Sequence, residues 1–172
     1  MKTIIVQGSS RVDGNSYQIA KMFQEKFDAP IINLAEKKIH PYSYEHHHTD
    51  DDFLPTLEEI VHYDTIVFIT PVYWYSMSGI MKNFFDRITD CLKVHKQTGR
   101  KLRGMNMLAV SCGSDATQHP GFFIPFQLSA AYLSMNYLGE LHTWISRDKP
   151  EKEVSDQIDL FANRVLEVAI EP

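Results

Sequence analysis

The sequence predicts a three-layer α/β domain, a doubly wound five-stranded parallel sheet with helices on both faces. Three observations carry this. Short apolar runs alternate with segments of helical period along the 172 residues, the pattern of strands joined by crossover helices. The run Thr65-Ile66-Val67-Phe68-Ile69 shows no polar alternation, as in a central parallel strand covered on both sides. A turn rich in Gly and Ser follows the first strand and leads directly into a helix start, the order that builds a phosphate cradle.

Each element follows in turn. Thr3-Ile4-Ile5-Val6 is the first strand, and residues 16–27 carry Ile19, Met22, Phe23 and Phe27 at the spacing of a buried helix face. Pro30-Ile31-Ile32-Asn33-Leu34 is the second strand. Residues 37–52 are polar, with Pro41, two tyrosines and a His run, a long loop of the kind that carries function. Asp50, Asp51 and Asp52 are read as the cap and acidic first turn of a short helix over residues 53–62. Pro71 ends the third strand. Residues 79–92 place Ile80, Met81, Phe84, Phe85, Ile88 and Leu92 on one helix face, with Lys82 and Asp86 one turn apart on another. The fourth strand, residues 105–110, opens into the loop Ser111-Cys112-Gly113-Ser114. Pro120 and Gly121 precede a helix over residues 125–137 that Gly139 stops, and residues 141–145 form the fifth strand. Asp148 and Pro150 open the last helix, whose buried face holds Val154, Ile158, Phe161 and Val165. The whole chain, residues 1–172, reads as a single domain.

Composition removes several classes of function. A net charge of −5 with scattered Lys and Arg lacks the basic stripe of a nucleic-acid binder. No run approaches the ~18 apolar residues of a membrane span, and no basic segment leads into an apolar stretch with a cleavage site; no membrane role is expected, and a cytoplasmic location is. Two cysteines, Cys91 and Cys112, are too few and too differently placed for a disulfide framework or a thiolate metal site.

The first loop, Gly8-Ser9-Ser10-Arg11-Val12-Asp13-Gly14-Asn15-Ser16, carries the most specific chemistry. Unpaired N–H groups in a first helical turn, the helix dipole and a forked Arg cation all favour an anion. Five residues separate Gly8 from Gly14, and Asn15 stands where a triphosphate loop needs Lys; Ser10 and Asp13 stand where a dinucleotide fingerprint needs Gly. The short donors Ser9, Ser10, Asn15 and Ser16 with Arg11 suit a terminal monophosphate. Each alone is an ordinary capping residue, but strand, loop, Arg and helix coincide here.

In a doubly wound sheet, ligands bind beyond the carboxyl ends of the strands where strand order reverses. Loops 8–16, 70–78 and 111–114 are therefore expected to meet. The second contains Pro71-Val72-Tyr73-Trp74-Tyr75-Ser76, and three adjacent aromatics after a Pro offer at least one ring plane to a flat ligand.

These residues resemble the NAD(P)H-dependent FMN reductases of the flavodoxin-like fold, which include quinone reductases. Gly8-Ser9-Ser10-Arg11 with Gly14-Asn15-Ser16 looks like that family's FMN-phosphate loop. Thr70-Pro71-Val72-Tyr73-Trp74, followed by Gly79, Lys82 and Phe85-Asp86-Arg87, looks like its isoalloxazine loop and following helix. The resemblance implies that Ser9, Arg11, Asn15 and Ser16 hold the phosphate, that Pro71, Val72, Tyr73, Trp74, Tyr75 and Ser76 line the ring, and that Ser111 and Gly113 approach its pyrimidine edge. It further implies hydride transfer from NADPH or NADH through bound FMN to a quinone, free flavin, azo or nitro aromatic or oxidised metal ion. The cofactor carries that chemistry, so no acid, base or nucleophile is named. A flavodoxin-type electron carrier is the alternative, but the modest charge offers little of the acidic rim that such carriers present. Unlike some relatives, residues 39–48 contain no Cys, which argues against an iron-sulfur cluster. His46, His47 and His48 read as a solvated or rim loop rather than a metal site, and Cys112 as a packed residue rather than a redox thiol. Phe122-Phe123-Ile124-Pro125-Phe126 beside the ligand end needs cover, which with the resemblance implies a homodimer or higher homo-oligomer.

Overall fold

Alternate residues of a strand face opposite sides of its sheet, so strands buried between two helical layers must be apolar throughout. The computed structural model describes residues 1–46, 48–146, 150 and 152–168. Its strands are β1 (Thr3–Gln7), β2 (Ile31–Asn33), β3 (Thr65–Pro71), β4 (Asn106–Gly113) and β5 (Asn136–Trp144), all parallel in the order β2-β1-β3-β4-β5. Its helices are α1 (Asn15–Phe27), α2 (Phe53–Ile60), α3 (Gly79–Lys93), the short α4 (Lys96–Arg100), α5 (Ile124–Leu133) and α6 (Lys152–Val168). Ile4, Val6, Ile66, Phe68, Met107 and Ala109 pack with α2, α3 and α5. Ile5, Val67, Ile69, Leu108 and Val110 pack with α1 and α6 on the other face. The chain runs from β1 out to β2 and back across to β3. The crevice therefore opens between the loops that follow β1 and β3.

Four elements depart from expectation. The helix read over residues 125–137 ends at Leu133, with Ser134 in the left-handed region at φ 57°, and β5 begins at Asn136. Asn136 Nδ2 donates to Gly104 O and Asn106 Oδ1. Pairing with β4 thus captures residues that an apolar pattern assigns equally well to a helix. Gly139 is not a helix stop: β5 bulges between the pairs Met107 with Tyr137 and Leu108 with Gly139, and Gly139 takes φ 139° there, a conformation open to glycine. Ser111, Cys112 and Gly113 belong to β4 rather than to a loop. Helix α4 was not anticipated, because Thr98-Gly99 weakens its helical signal. The last helix begins at Lys152; Asp148, read as part of its start signal, lies outside the described residues, as does His47.

The long loop after β2 is strapped to α3 by buried charge. Arg87, 1% exposed, donates to the carboxylates of Asp51 and Asp90 and to His40 O, while its guanidinium lies 4.8 Å from the Phe53 ring. His46 Nδ1 sits 2.7 Å from Asp90 Oδ1, and Asn83 Nδ2 donates to Ile39 O at 2.9 Å. The Asp residues do not act as a simple helix cap. Asp51 accepts from His40 N and Phe53 N, and Asp52 accepts from Lys38 N, so they bind the strap as well as the first turn of α2. His48 stacks on His40 at 5.0 Å.

Candidate functional site

The three loops expected to meet do so. Ser78 caps α3 by accepting from Met81 N at 3.0 Å, and its hydroxyl donates to Gly8 O at 2.5 Å. Thr70 Oγ1 accepts from Ser78 N, and Gly8 N donates to Ile69 O. Thr70 opens the resembling loop motif without a role assigned to it, and Ser78 was not singled out in the sequence, although a Ser directly before the helical Gly79 is an N-cap signal.

A cavity of about 250 Å³ opens where these loops converge, lined at one end by Ser9, Arg11, Asn15 and Ser16. Gly14 caps α1 without a side-chain bond, and the first turn of α1 holds no acid, so the dipole and leading N–H groups are left for a ligand anion. Ser9 Oγ accepts from Arg11 N at 3.3 Å. The Arg11 side chain has no ion-pair partner among the described residues. Asn15 spends its amide on Ile145 O at 3.3 Å, anchoring α1 to the end of β5. Cys112 also lines this end; burial pushes its thiol up to about 11, against opposing hydrogen bonds with Ser16 and Thr143. It is a neutral packed thiol at ordinary pH, not a thiolate.

The other end is lined by Pro71, Val72, Tyr73, Gly113 and Ser114, joined by residues the sequence reading had passed over: Asp115, Thr117, His119 and His142. The loop was expected to stop at Ser114, and a lone His on a strand carries no local signal. Tyr73 and Ser76 exchange backbone hydrogen bonds at 3.0 and 3.1 Å, with Trp74 at φ 49° and Tyr75 at φ 64° between them. This is a two-residue turn with both central residues left-handed, normally the province of Asn-Gly. It leaves Trp74 93% exposed, sets Tyr73 Oη 3.2 Å from Ser10 Oγ, and lays Tyr75 against His119 at 4.8 Å. Trp74, Tyr75 and Ser76 stand at the tip of this turn and not in the cavity wall. Ser111 is buried beneath the site, its Oγ 2.7 Å from His142 Nδ1. A Cβ on Gly113 would come within 2.9 Å of the His142 ring, so only bare backbone fits there. The Asp115 carboxyl is held below the usual range by hydrogen bonds from Thr117. Arg87, part of the resembling helix motif, serves the strap and not this cavity.

Comparison with known proteins places this arrangement. Residues 1–146 match the model of the NADPH-dependent FMN reductase family. A Bacillus subtilis protein named as an NAD(P)H-dependent FMN-containing oxidoreductase, YwqN, is 32% identical over 54% of this chain and 55% of its own length; the match spans about half of that relative. The uncharacterized NAD(P)H oxidoreductase YdeQ of the same organism is 25% identical over 100% of this chain and 90% of its own. The structure of Trp repressor binding protein from Bacillus subtilis superposes with a TM-score of 0.75 at 20% identity, covering 95% of this chain and 97% of that one; it supports the fold alone. A sheet of this order and a family match over residues 1–146, which takes in all three loops that converge on the cavity, lead to one conclusion: the chain belongs to the NADPH-dependent FMN reductase family of oxidoreductases.

Proposed function

We propose that this chain binds FMN at the convergence of its three loops and passes hydride from NADPH or NADH through it to a quinone, flavin or similar acceptor. One observation carries the reading. A single cavity joins a helix N-terminus without a side-chain cap, two buried serines and an Arg with no ion-pair partner among the described residues to a wall of bare backbone and aromatic rings. The residues fit the group at both ends. Ser9, Ser16, Arg11 and the N–H groups at Asn15 and Ser16 donate to phosphate oxygens, while Asn15 also fixes the helix. Pro71, Val72 and Tyr73 flank the ring system, Trp74, Tyr75 and Ser76 form the lip beside it, and Gly113 lets backbone approach the pyrimidine edge. Ser111 acts from below, through His142. At about 250 Å³ the cavity encloses only part of such a ligand, small-molecule sites running to roughly 300–1,000 Å³. The remainder lies open to the second substrate.

Bound FMN supplies hydride acceptance and onward electron delivery. The protein orients the ring and holds the phosphate; no described side chain needs to move a proton for this. The absorption spectrum of the purified chain, repeated after anaerobic addition of NADPH or NADH, is the test. A flavin that stays oxidised with both nucleotides removes the reductase reading, and a chain that takes up no added FMN removes the cofactor.

A homodimer belongs to the same reading. Phe122, Phe123 and Phe126 are buried within their own chain, so they need no partner. Beside them α5 exposes an apolar stripe of Ile124, Leu128 (66% exposed) and Tyr132 (77% exposed), one helical turn apart from each other. A second copy covering this stripe makes sizing chromatography report a dimer.

A further inference from the structure

The segment from Ser114 to His119 holds two hydrogen bonds of its own and one to the residues that follow it. Asp115 Oδ1 accepts from Thr117 N at 2.8 Å, Ser114 Oγ donates to Asp115 Oδ2 at 3.4 Å, and His119 O accepts from Phe122 N. Among the described residues, one hydrogen bond joins residues 114–118 to the sheet: His142 Nε2 to Asp115 O, at 3.0 Å. His142 stands on β5, is 7% exposed and lines the cavity. Its surroundings fix its chemistry. A carbonyl oxygen only accepts, so Nε2 carries the hydrogen. In the neutral imidazole Nδ1, 2.7 Å from Ser111 Oγ, is then the acceptor of the Ser111 hydroxyl proton. Ser111 is locked in turn, since Thr143 Oγ1 donates to its carbonyl at 2.7 Å. The Trp144 ring lies roughly parallel at 6.2 Å, and Gly113 leaves no side chain between the imidazole and the backbone of β4. The ring thus cannot turn without breaking both bonds.

We propose that His142 is a positioning residue: its Nε2–H moors the 114–119 segment to the rigid sheet, and thereby sets the wall that Thr117 and His119 present to the ring end of the site. The mooring is matched above by His119 against Tyr75, so the segment is held between the sheet and the strained aromatic turn. The inference rests on the FMN reading for its consequence, but not for its geometry. Loss of the mooring loosens the ring end of the site and leaves the phosphate end, on the other side of the cavity, as it was.

Two substitutions separate the two nitrogens. In His142→Gln the amide N–H reaches the place of Nε2 and keeps the bond to Asp115 O; in His142→Asn the amide oxygen takes the place of Nδ1, keeps Ser111 and drops the loop. Dissociation constants for FMN and for riboflavin, which lacks the phosphate, are measured for the wild-type chain and both variants. Amide hydrogen exchange at residues 114–118 is followed in the flavin-free chains. The Asn variant is expected to bind FMN and riboflavin about tenfold more weakly by the same factor, as one hydrogen bond implies, with faster exchange confined to the segment. The Gln variant stays close to wild type in both. Equal behaviour of the two variants, whether equally impaired or both intact, overturns the proposal, because a packing role does not distinguish them. If the wild-type chain binds neither flavin, it is the FMN reading that falls, and the exchange measurement still decides the mooring.

Discussion

Ser78 reaches across 70 positions of sequence to Gly8, its hydroxyl hydrogen-bonded at 2.5 Å to the glycine carbonyl while its oxygen caps α3. One buried side chain thereby sets the spacing between the loop after β1 and the loop after β3. Ser78→Ala removes a helix cap and strands a buried carbonyl, a combined cost of about 2–4 kcal/mol. Urea unfolding is expected to show that loss, with flavin affinity falling as well because both walls of the cavity shift.

Arg11 has no ion-pair partner among the described residues and stands beside a helix N-terminus without a side-chain cap. Arg11→Ala is expected to weaken FMN by roughly ten- to a hundredfold, the scale of one charge-assisted hydrogen bond, and to leave riboflavin binding nearly unchanged. Fluorescence titration with both flavins checks this; equal weakening of the two would place Arg11 away from the phosphate.

The Trp74-Tyr75 turn holds two bulky residues in the left-handed region, at roughly 1–2 kcal/mol each. Backbone strain of this kind persists where function holds it in place. The double substitution Trp74→Asn, Tyr75→Gly gives the turn its preferred residues. It is expected to raise stability by about 1–3 kcal/mol while lowering turnover with NADPH. A variant that is both more stable and fully active would assign the turn to packing.

The Arg87 cluster governs stability. Arg87→Met leaves the carboxylates of Asp51 and Asp90 buried without their cation, at about 3–5 kcal/mol, which thermal unfolding at neutral pH measures. The substitution frees the strap over residues 37–52 from α3, so proteolysis there is expected to accelerate.

Acid sensitivity follows from the same cluster. Burial pushes the Asp51 carboxyl up, but hydrogen bonds from Arg87, His40 N and Phe53 N, with the Arg87 charge, outweigh it and hold the group below the usual range. A carboxyl depressed in the folded state binds its proton more readily when unfolded. Its contribution is therefore present in full above the unfolded value of about 3.9 and is lost as pH falls through the folded one. Stability of the wild-type chain is expected to decline below that value more steeply than that of Asp51→Asn, measured by urea midpoints from pH 6 downward.

Strand identity and sheet composition were legible because period and burial are linked. A parallel strand between two helical layers has no solvent face, so Thr65-Ile66-Val67-Phe68-Ile69 permits little else. That Ser9, Arg11, Asn15 and Ser16 would share one pocket was legible for a similar reason: they and the helix start lie close together in the chain. The other end of the cavity was half legible. Pro71, Val72, Tyr73 and Gly113 line the cavity as expected, but Asp115, Thr117, His119 and His142 carry no local pattern and are gathered only by the pairing of β4 with β5. The stretch from Asn136 to Gly139 misled because an apolar run of that length satisfies helix and strand alike, and the decision belonged to an edge of β4.

The chain by itself determined what consecutive residues can determine: that strands and helices alternate, that the sheet is parallel, and that a strand, a Gly- and Ser-rich turn with Arg11 and a helix start follow one another. Tertiary structure alone decided which distant groups become partners. Ser78 meets Gly8, His142 meets Asp115 and Arg87 meets Asp51 because strand order and register bring them within hydrogen-bond reach. Those bonds act over a few ångströms, whereas sequence spacing constrains position only within one element, so their partners become known only once the sheet is assembled.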